Sequence, residues 1–227
     1  MFNSNYLRRS IDFKNLIFSF CGPTSVRIEY EELKPEIYLY NGISESVASL
    51  YEQEVSAHLR QQFKTRLLID EERCEFVASL LDKMYRSGRR VICVSDRLDS
   101  ISKMYEKLSS DTQMESSILK GSTQDRDYAI SKRVIIASLS IVSEGFDVPE
   151  LDCLVIASPI SSLEQVIGRV MRPHPKKQSP IVIDIVDKGT IFMRSFYQRM
   201  NYYKKKKYVV HEQGVNPKKE SVEFLFS

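Results

Sequence analysis

The sequence predicts an α/β fold in which a doubly wound, mainly parallel sheet carries helices on both faces. Three observations lead there. From about residue 89 onward, short β-branched runs alternate with segments of helical period, the rhythm of βα units. Each run is almost continuously apolar, as a strand covered on both faces must be. The helical segments between the runs carry recognisable cap and stop residues.

In chain order, residues 1–60 stand apart. The apolar cluster Leu16-Ile17-Phe18-Ser19-Phe20 stops at Cys21-Gly22-Pro23, and an alternating stretch from Val26 to Tyr40 suggests one or two strands. This part lacks the βα rhythm and reads as an N-terminal extension, either an edge addition to the main sheet or the remnant of a neighbouring domain. Cys74, Val77, Leu80, Leu81 and Met84 then repeat at helical spacing behind an acidic start at Glu71-Glu72, with Gly88 as C-terminal cap. The strand Arg90 to Val94 follows. Ser95 or Asp96 is placed to cap a helix with the apolar face Leu98, Ile101, Tyr105 and Leu108. A weaker strand at Glu115 to Leu119 precedes the strong runs Arg133 to Ala137, Cys153 to Ala157 and Ile181 to Val186. Phe192, Phe196, Met200 and Tyr203 mark a last helix. The expected division is an extension over 1–60, the α/β domain over 61–208 and a tail over 209–227.

Composition bounds the function. The 227 residues suit one large domain, or a domain with an appendage of about 50 residues. The 33 Lys+Arg against 30 Asp+Glu give a formal charge of +3, a weak hint of an anionic partner. A hydrophobic fraction of 42% with eleven Phe and twelve Tyr excludes a disordered chain. No apolar run approaches the roughly 18 residues that cross a bilayer, and no basic segment leads into an apolar one at the N-terminus, so no membrane partner and no secretion are expected. Cys21, Cys74, Cys93 and Cys153 form no Cys-x-x-Cys pair, and the three His lie apart. No metal site is expected, and Cys93 and Cys153 read as buried thiols.

Two segments carry chemistry. In Ser161 to Pro173, Ser161/Glu164 and Ser162/Gln165 make capping-box pairs and Pro173 stops the helix, predicting about three turns. Leu163, Val166, Ile167, Val170 and Met171 fall on one face, with Gln165, Gly168, Arg169 and Arg172 on the other. Two guanidiniums one turn apart beside a glycine suit a polyphosphate whose charge grows during phosphoryl transfer. A plain solvated face is the alternative. In the second segment, the strand to Ala137 runs into Ser138 and on through Glu144-Gly145-Phe146-Asp147-Val148-Pro149. This sets hydroxyls, a glycine and carboxylates beyond a strand's carboxyl end, where open α/β sheets bind ligands. Gly145 allows close backbone approach, and Asp147 can accept from a ribose hydroxyl. A polar turn with an Asp-x-Pro bend is the bland reading.

Together the segments resemble the fifth and sixth motifs of superfamily 2 helicases. The family pattern is a strand ending in Ala-Thr, then Glu-Gly-x-Asp-x-Pro, a further strand and Gln-x-x-Gly-Arg-x-x-Arg. It stands here as Ala137-Ser138, Glu144 to Pro149 and Gln165 to Arg172, with Ser138 keeping the hydroxyl of the usual threonine. Val91 to Leu108 resembles the fourth motif, and Leu119-Lys120-Gly121 with Arg126 the accessory element after it. Residues 60–208 thus resemble the second RecA-like lobe, and Leu7-Arg8-Arg9 through Gly22-Pro23 the end of lobe one. Asp184-Ile185-Val186-Asp187 and its long helix are similar to xeroderma pigmentosum group B-type helicases and to those of large DNA viruses, including the poxvirus transcript-release helicase.

The resemblance implies half of an ATP site. The sequence holds no Gly-x-x-x-x-Gly-Lys-Ser/Thr loop and no Asp-Glu-x-His/Asp segment. ATP and Mg2+ are therefore expected only in a two-lobe enzyme, with the missing N-terminal lobe as partner and no ATP turnover by this chain alone. Arg169 and Arg172 would stabilise the γ-phosphate transition state. Gly145 and Asp147 would line the nucleotide edge, and Gln165 would couple the cleft to nucleic acid. Arg97, Gly121, Ser122 and Ser138 would grip a phosphodiester backbone, of DNA by preference, without reading sequence. From the charge run alone, Lys204 to Lys207 and Lys218-Lys219 form a basic tail that would add salt-dependent affinity, with a plain solvated surface as the commoner reading. A stand-alone nucleic-acid- or protein-binding module without ATPase activity is the alternative. The expected location is intracellular, in nucleus, cytoplasm or a viral factory.

Overall fold

A computed structural model describes residues 20, 33–42, 57–144, 147–161, 163–175 and 177–212. In chain order the elements are β1 (Glu36–Asn41), α1 (Ala57–Leu68), α2 (Glu71–Arg86), β2 (Val91–Ser95), α3 (Leu98–Glu106), α4 (Ser110–Met114) and β3 (Ser116–Leu119). After these come α5 (Arg126–Ser131), β4 (Val134–Ser138), α6 (Leu139–Glu144), β5 (Cys153–Ile156), α7 (Glu164–Val170), β6 (Ile181–Val186), α8 (Met193–Lys206) and β7 (Val209–Glu212).

The strands form one seven-stranded sheet in the order β3-β4-β2-β5-β6-β1-β7, and every pairing is parallel. All residues of β2, β4, β5 and β6 are buried. That is why their sequences run apolar without alternation: helices cover both faces. Residues of α5, α6, α7 and α8 pack with Ile92, Val94, Ile135, Leu154, Ile156 and Val182 on one face. On the other, α2 and α3 pack with Val91, Cys93, Val134, Ile136, Cys153 and Val155.

The sheet reaches beyond 61–208 at both ends. β1 pairs with β6 from Glu36↔Ile181 to Asn41↔Val186 and with β7 from Glu36↔Val209 to Leu39↔Glu212. It is an inner strand, and the compact unit that holds the sheet begins at Glu32. Within 26–40, the described part of the alternating stretch supplies one strand.

α2 follows its sequence signals. Asp70 caps it by accepting from Arg73 N–H at 3.1 Å, its acidic first turn meets the positive end of the helix dipole, and it buries Cys74, Val77, Leu80, Leu81 and Met84. Gly88 follows at φ +81°, a left-handed conformation that glycine adopts without strain.

Three local expectations differ from the structure. The helix after β2 has Arg97 at its N-cap and no side-chain cap. Ser95 is instead engaged with Ser158 Oγ at 2.9 Å and accepts the Arg97 N–H at 3.3 Å. Leu98 is 53% exposed, and Met104 fills the core beside Ile101 in its place. The capping-box pairs do not form at Ser161: α7 has two turns, starts after a buried Leu163, and has no side-chain cap, while Ser161 is exposed. Burial of Leu163 sets the helix entry more strongly than a surface hydroxyl could. Ser162 lies outside the described residues.

Candidate functional site

The carboxyl ends of β3, β4 and β2 lie side by side because Leu119 pairs with Ala137 and Ser95 pairs with Ser138. The register gathers three predicted groups on one edge. Ser138 ends β4, nearly buried, with its hydroxyl 3.2 Å from that of Ser140. Arg97 follows β2 and is half-buried. Gly121 and Ser122 sit exposed in a turn closed by Thr123 N–H to Lys120 O at 2.9 Å and Lys120 N–H to Thr123 Oγ1 at 2.9 Å.

α6 leads directly from Ser138 toward α7. At its end the Ser143 carbonyl accepts from Arg169 Nη2 at 3.5 Å, a long bond, and Arg172 pairs with Asp147. Both members of that pair are about half exposed (45% and 55%), so it contributes at most about 1 kcal/mol and leaves both groups able to exchange partners. Burial, with the neighbouring Arg172 charge, lowers the Arg169 pKa, and Asp147 opposes that shift. An incoming anion would therefore find a guanidinium that the protein only partly compensates. Gln165 and Gly168 lie exposed on the same helix, and a side-chain carbon on Gly168 would meet nothing within 4 Å. Gly145 lies outside the described residues.

A cation that the sequence reading passed over holds this arrangement. Lys177 Nζ donates to the carbonyls of Val170, Arg172 at 2.9 Å and Pro149 at 3.4 Å. It ties the end of α7 to the loop that carries Asp147 and complements the negative end of the helix. Burial pushes its pKa down to about 8, with Asp152 working the other way. No local signal marks it, since the chain must fold back after Arg172 to bring Lys177 onto the helix end, and its third acceptor, Pro149 O, is 28 residues away.

Two buried ion pairs brace the same edge. Arg73, from α2, donates to Gly42 O at 2.9 Å and Ala157 O at 2.8 Å and pairs with Asp187. It joins the chain ends beyond β1, β5 and β6. Arg199 donates to Asp184 from Nε at 2.9 Å and from Nη2 at 2.8 Å, and to Ile160 O at 2.6 Å; the Tyr203 hydroxyl donates to Asp184 at 2.8 Å. Burial opposes the Arg199 charge, but the Asp184 carboxylate outweighs it, so the guanidinium pKa is raised. The signal for this cluster was a carboxylate inside the apolar run Ile181 to Val186, which burial forces to find partners. Among the described residues no group of three His, Cys, Asp or Glu is placed to hold a metal, and no helix is long and apolar enough to cross a membrane.

The parallel sheet, with hydroxyls and paired arginines beyond its strand ends, defines a RecA-like lobe of the kind that closes superfamily 2 helicases. Residues 72–174 match the family described as the helicase conserved C-terminal domain, and the chain carries that domain. A mimivirus relative, L396 of Acanthamoeba polyphaga mimivirus, is provisionally named an ATP-dependent RNA helicase. It is 30% identical over 158 residues, covering 67% of this chain and 30% of that protein. Uncharacterized protein 108L of Invertebrate iridescent virus 3 is 35% identical over 81 residues, 35% of this chain and 76% of its own length, and the chain belongs to one family with it. The crystal structure of T4 UvsW shares the fold at a TM-score of 0.60 and 17% identity, over 83% of this chain and 42% of that one. The C-terminal domain of the DEAD-box protein Dbp5 does so at 0.50 and 16%, over 81% and 92%.

Proposed function

We propose that the chain acts as the second lobe of an ATP-dependent superfamily 2 DNA helicase or translocase. In this reading Arg169 and Arg172 reach the γ-phosphate of ATP bound against a first lobe, which also holds Mg2+. Gly145 and Asp147 line the nucleotide edge, and Gln165 relays the state of the cleft. Arg97, Gly121, Ser122 and Ser138 hold the nucleic-acid backbone. The observation that carries the reading is α6, a helix of six residues that starts after Ser138 and ends against Arg169. A strand-end hydroxyl and a phosphate-seeking guanidinium thus share one short rigid element, so a shift at either end is felt at the other. The buried Asp184 and its long following helix favour the xeroderma pigmentosum group B-type and large-DNA-virus subgroup. The name of the mimivirus relative speaks for RNA instead, and parallel binding to both nucleic acids decides between them. The work would be done inside the cell, wherever that nucleic acid is handled: nucleus, cytoplasm or viral factory.

The test is ATP turnover by the chain joined to a first lobe that carries its own phosphate loop. Arg169→Ala and Arg172→Ala should each lower the rate by about 10³ to 10⁵, with the chain alone inactive. Unchanged rates would refute the finger assignment, and turnover by the chain alone would refute the half-site. A joined protein that binds nucleic acid but never turns over ATP would favour a stand-alone binding module.

A further inference from the structure

α8 is cationic in a way its packing does not require. Its fourteen residues include Arg194, Arg199, Lys204, Lys205 and Lys206 and no acidic residue. Arg199 is buried in the Asp184 cluster. Arg194, Tyr197, Gln198, Asn201, Lys204 and Lys205 are exposed, and steps of three and four residues set them in one row along the helix. Arg194 and Lys204 stand about 15 Å apart at 1.5 Å per residue. Between them Tyr197 offers a ring that is 59% exposed.

A cavity of about 330 Å³ opens beside this row, lined by Ser161, Leu163, Glu164, Gln198, Arg199 and Tyr202. That volume is at the small end of ligand pockets. Its floor is rigid, because Arg199 is held by Asp184 and Ile160. The charges sort the two regions. Arg194, Lys204 and Lys205 attract phosphates. In the cavity the Arg199 guanidinium is already matched by Asp184, the Glu164 carboxylate disfavours a phosphate, and the Gln198 amide and Ser161 hydroxyl can hydrogen-bond the edge of a base. Tyr197 supplies an exposed ring on which a base can stack, and the half-buried Tyr202 closes the cavity wall.

We propose that this face of α8, with the cavity at its side, is a seat for single-stranded nucleic acid, with the backbone along Arg194, Lys204 and Lys205 and one base in the cavity. The proposal rests on the nucleic-acid part of the function proposed above but uses none of its residues. Ser138, Arg97 and Gly121 lie beyond β4, β2 and β3, whereas the cavity lies beyond β5 and beside the helix after β6. A strand held at both places would cross the carboxyl edge of the sheet.

The test is binding of labelled oligo-dC, oligo-dT and a duplex to the whole chain over a salt series. Tyr197→Ala and Gln198→Ala change exposed side chains, and thermal unfolding checks that they fold. Tyr197→Ala should weaken single-strand binding about tenfold at every salt concentration, and Gln198→Ala should narrow any preference for oligo-dC over oligo-dT. Lys204→Gln with Lys205→Gln should reduce the slope of log K against log salt by about 1.4, at roughly 0.7 per phosphate. Affinity and slope unchanged in these variants, with binding lost in Ser138→Ala, would overturn the α8 seat and leave the strand-end site standing. Equal losses on single strand and duplex would overturn the base-in-cavity assignment. No binding by the wild type at low salt would overturn both sites while leaving the arginine fingers to the turnover assay.

Discussion

Replacing Asp184 by Asn tests the charge cluster that steadies the approach to α7. Asp184 is fully buried in β6 and accepts two hydrogen bonds from Arg199 and one from Tyr203. Asparagine removes the charge and turns an amide donor toward donors, so Arg199, 1% exposed, keeps at most one neutral acceptor in place of a bidentate carboxylate and stays buried with its charge unmatched. Leaving one member of a buried pair unmatched costs about 3–5 kcal/mol, out of a total near 5–15 kcal/mol for a domain. At a urea slope of about 2 kcal/mol per molar, the unfolding midpoint falls by about 2 M. Circular dichroism and tyrosine fluorescence should report the same transition if it is two-state. Arg199→Met should cost as much, because the carboxylate then keeps only Tyr203. Asp184→Leu with Arg199→Met should cost clearly less than the sum, since no buried charge is stranded. A midpoint shift below about 0.3 M for Asp184→Asn, or strict additivity in the double variant, would refute the reasoning. Because Arg199 also holds Ile160, ahead of α7, any surviving Asp184→Asn protein should show altered amide resonances at Leu163 to Gln165.

Other outcomes follow from single contacts. Between pH 8 and the ordinary lysine value of 10.5, the unfolded chain binds a proton at Lys177 that the folded chain has lost. Raising pH through that window should therefore stabilise the wild type relative to Lys177→Met, as read by urea midpoints at pH 7.5 and 10; a constant difference would remove Lys177 from its burial. In Gly42→Ala the new carbon would meet Ile185 Cγ2 and, at 2.5 Å, Arg73 Nη1. Overpacking at that close approach should cost about 1–3 kcal/mol, and thermal unfolding that does not change would show that Arg73 moves freely. Cys74, Cys93 and Cys153 are fully buried, with burial raising each thiol pKa, that of Cys74 to about 11. Iodoacetamide at pH 8 should label these three only in denaturant, and native labelling at Cys93 or Cys153 followed by mass spectrometry would contradict the sheet placement.

The strands β2, β4, β5 and β6, the helix α2 and the order of the two chemical segments were legible in the linear sequence. Their signals are local. A strand buried on both faces must be continuously apolar, and a helix must bury one stripe, whatever lies across from it. The 3.6-residue period places Gln165, Gly168 and Arg169 on one helix face, but α7 ends at Val170 and Arg172 lies beyond its Met171 cap, so the expected pair of arginines on one helix does not form. Other features were invisible along the chain because their energies come from groups far apart in sequence. Residues 36–41 became an inner strand by pairing with strands about 145 and 173 positions later. Arg199 was readable as one more basic residue of a helix, and only the fold sets it 2.8 Å from Asp184. The hydroxyls of Ser161 and Ser95 looked like caps; burial of Leu163 and the pairing of Ser95 with Ser158 decided otherwise. The sequence by itself determined the layers of this protein and the helix face on which Arg169 stands. The tertiary structure decided what Arg169 and Arg172 face, how Lys177 ties α7 to the Asp147 loop, and where a cavity opens beside α8. These depend on long-range geometry, and only the packed chain supplies it.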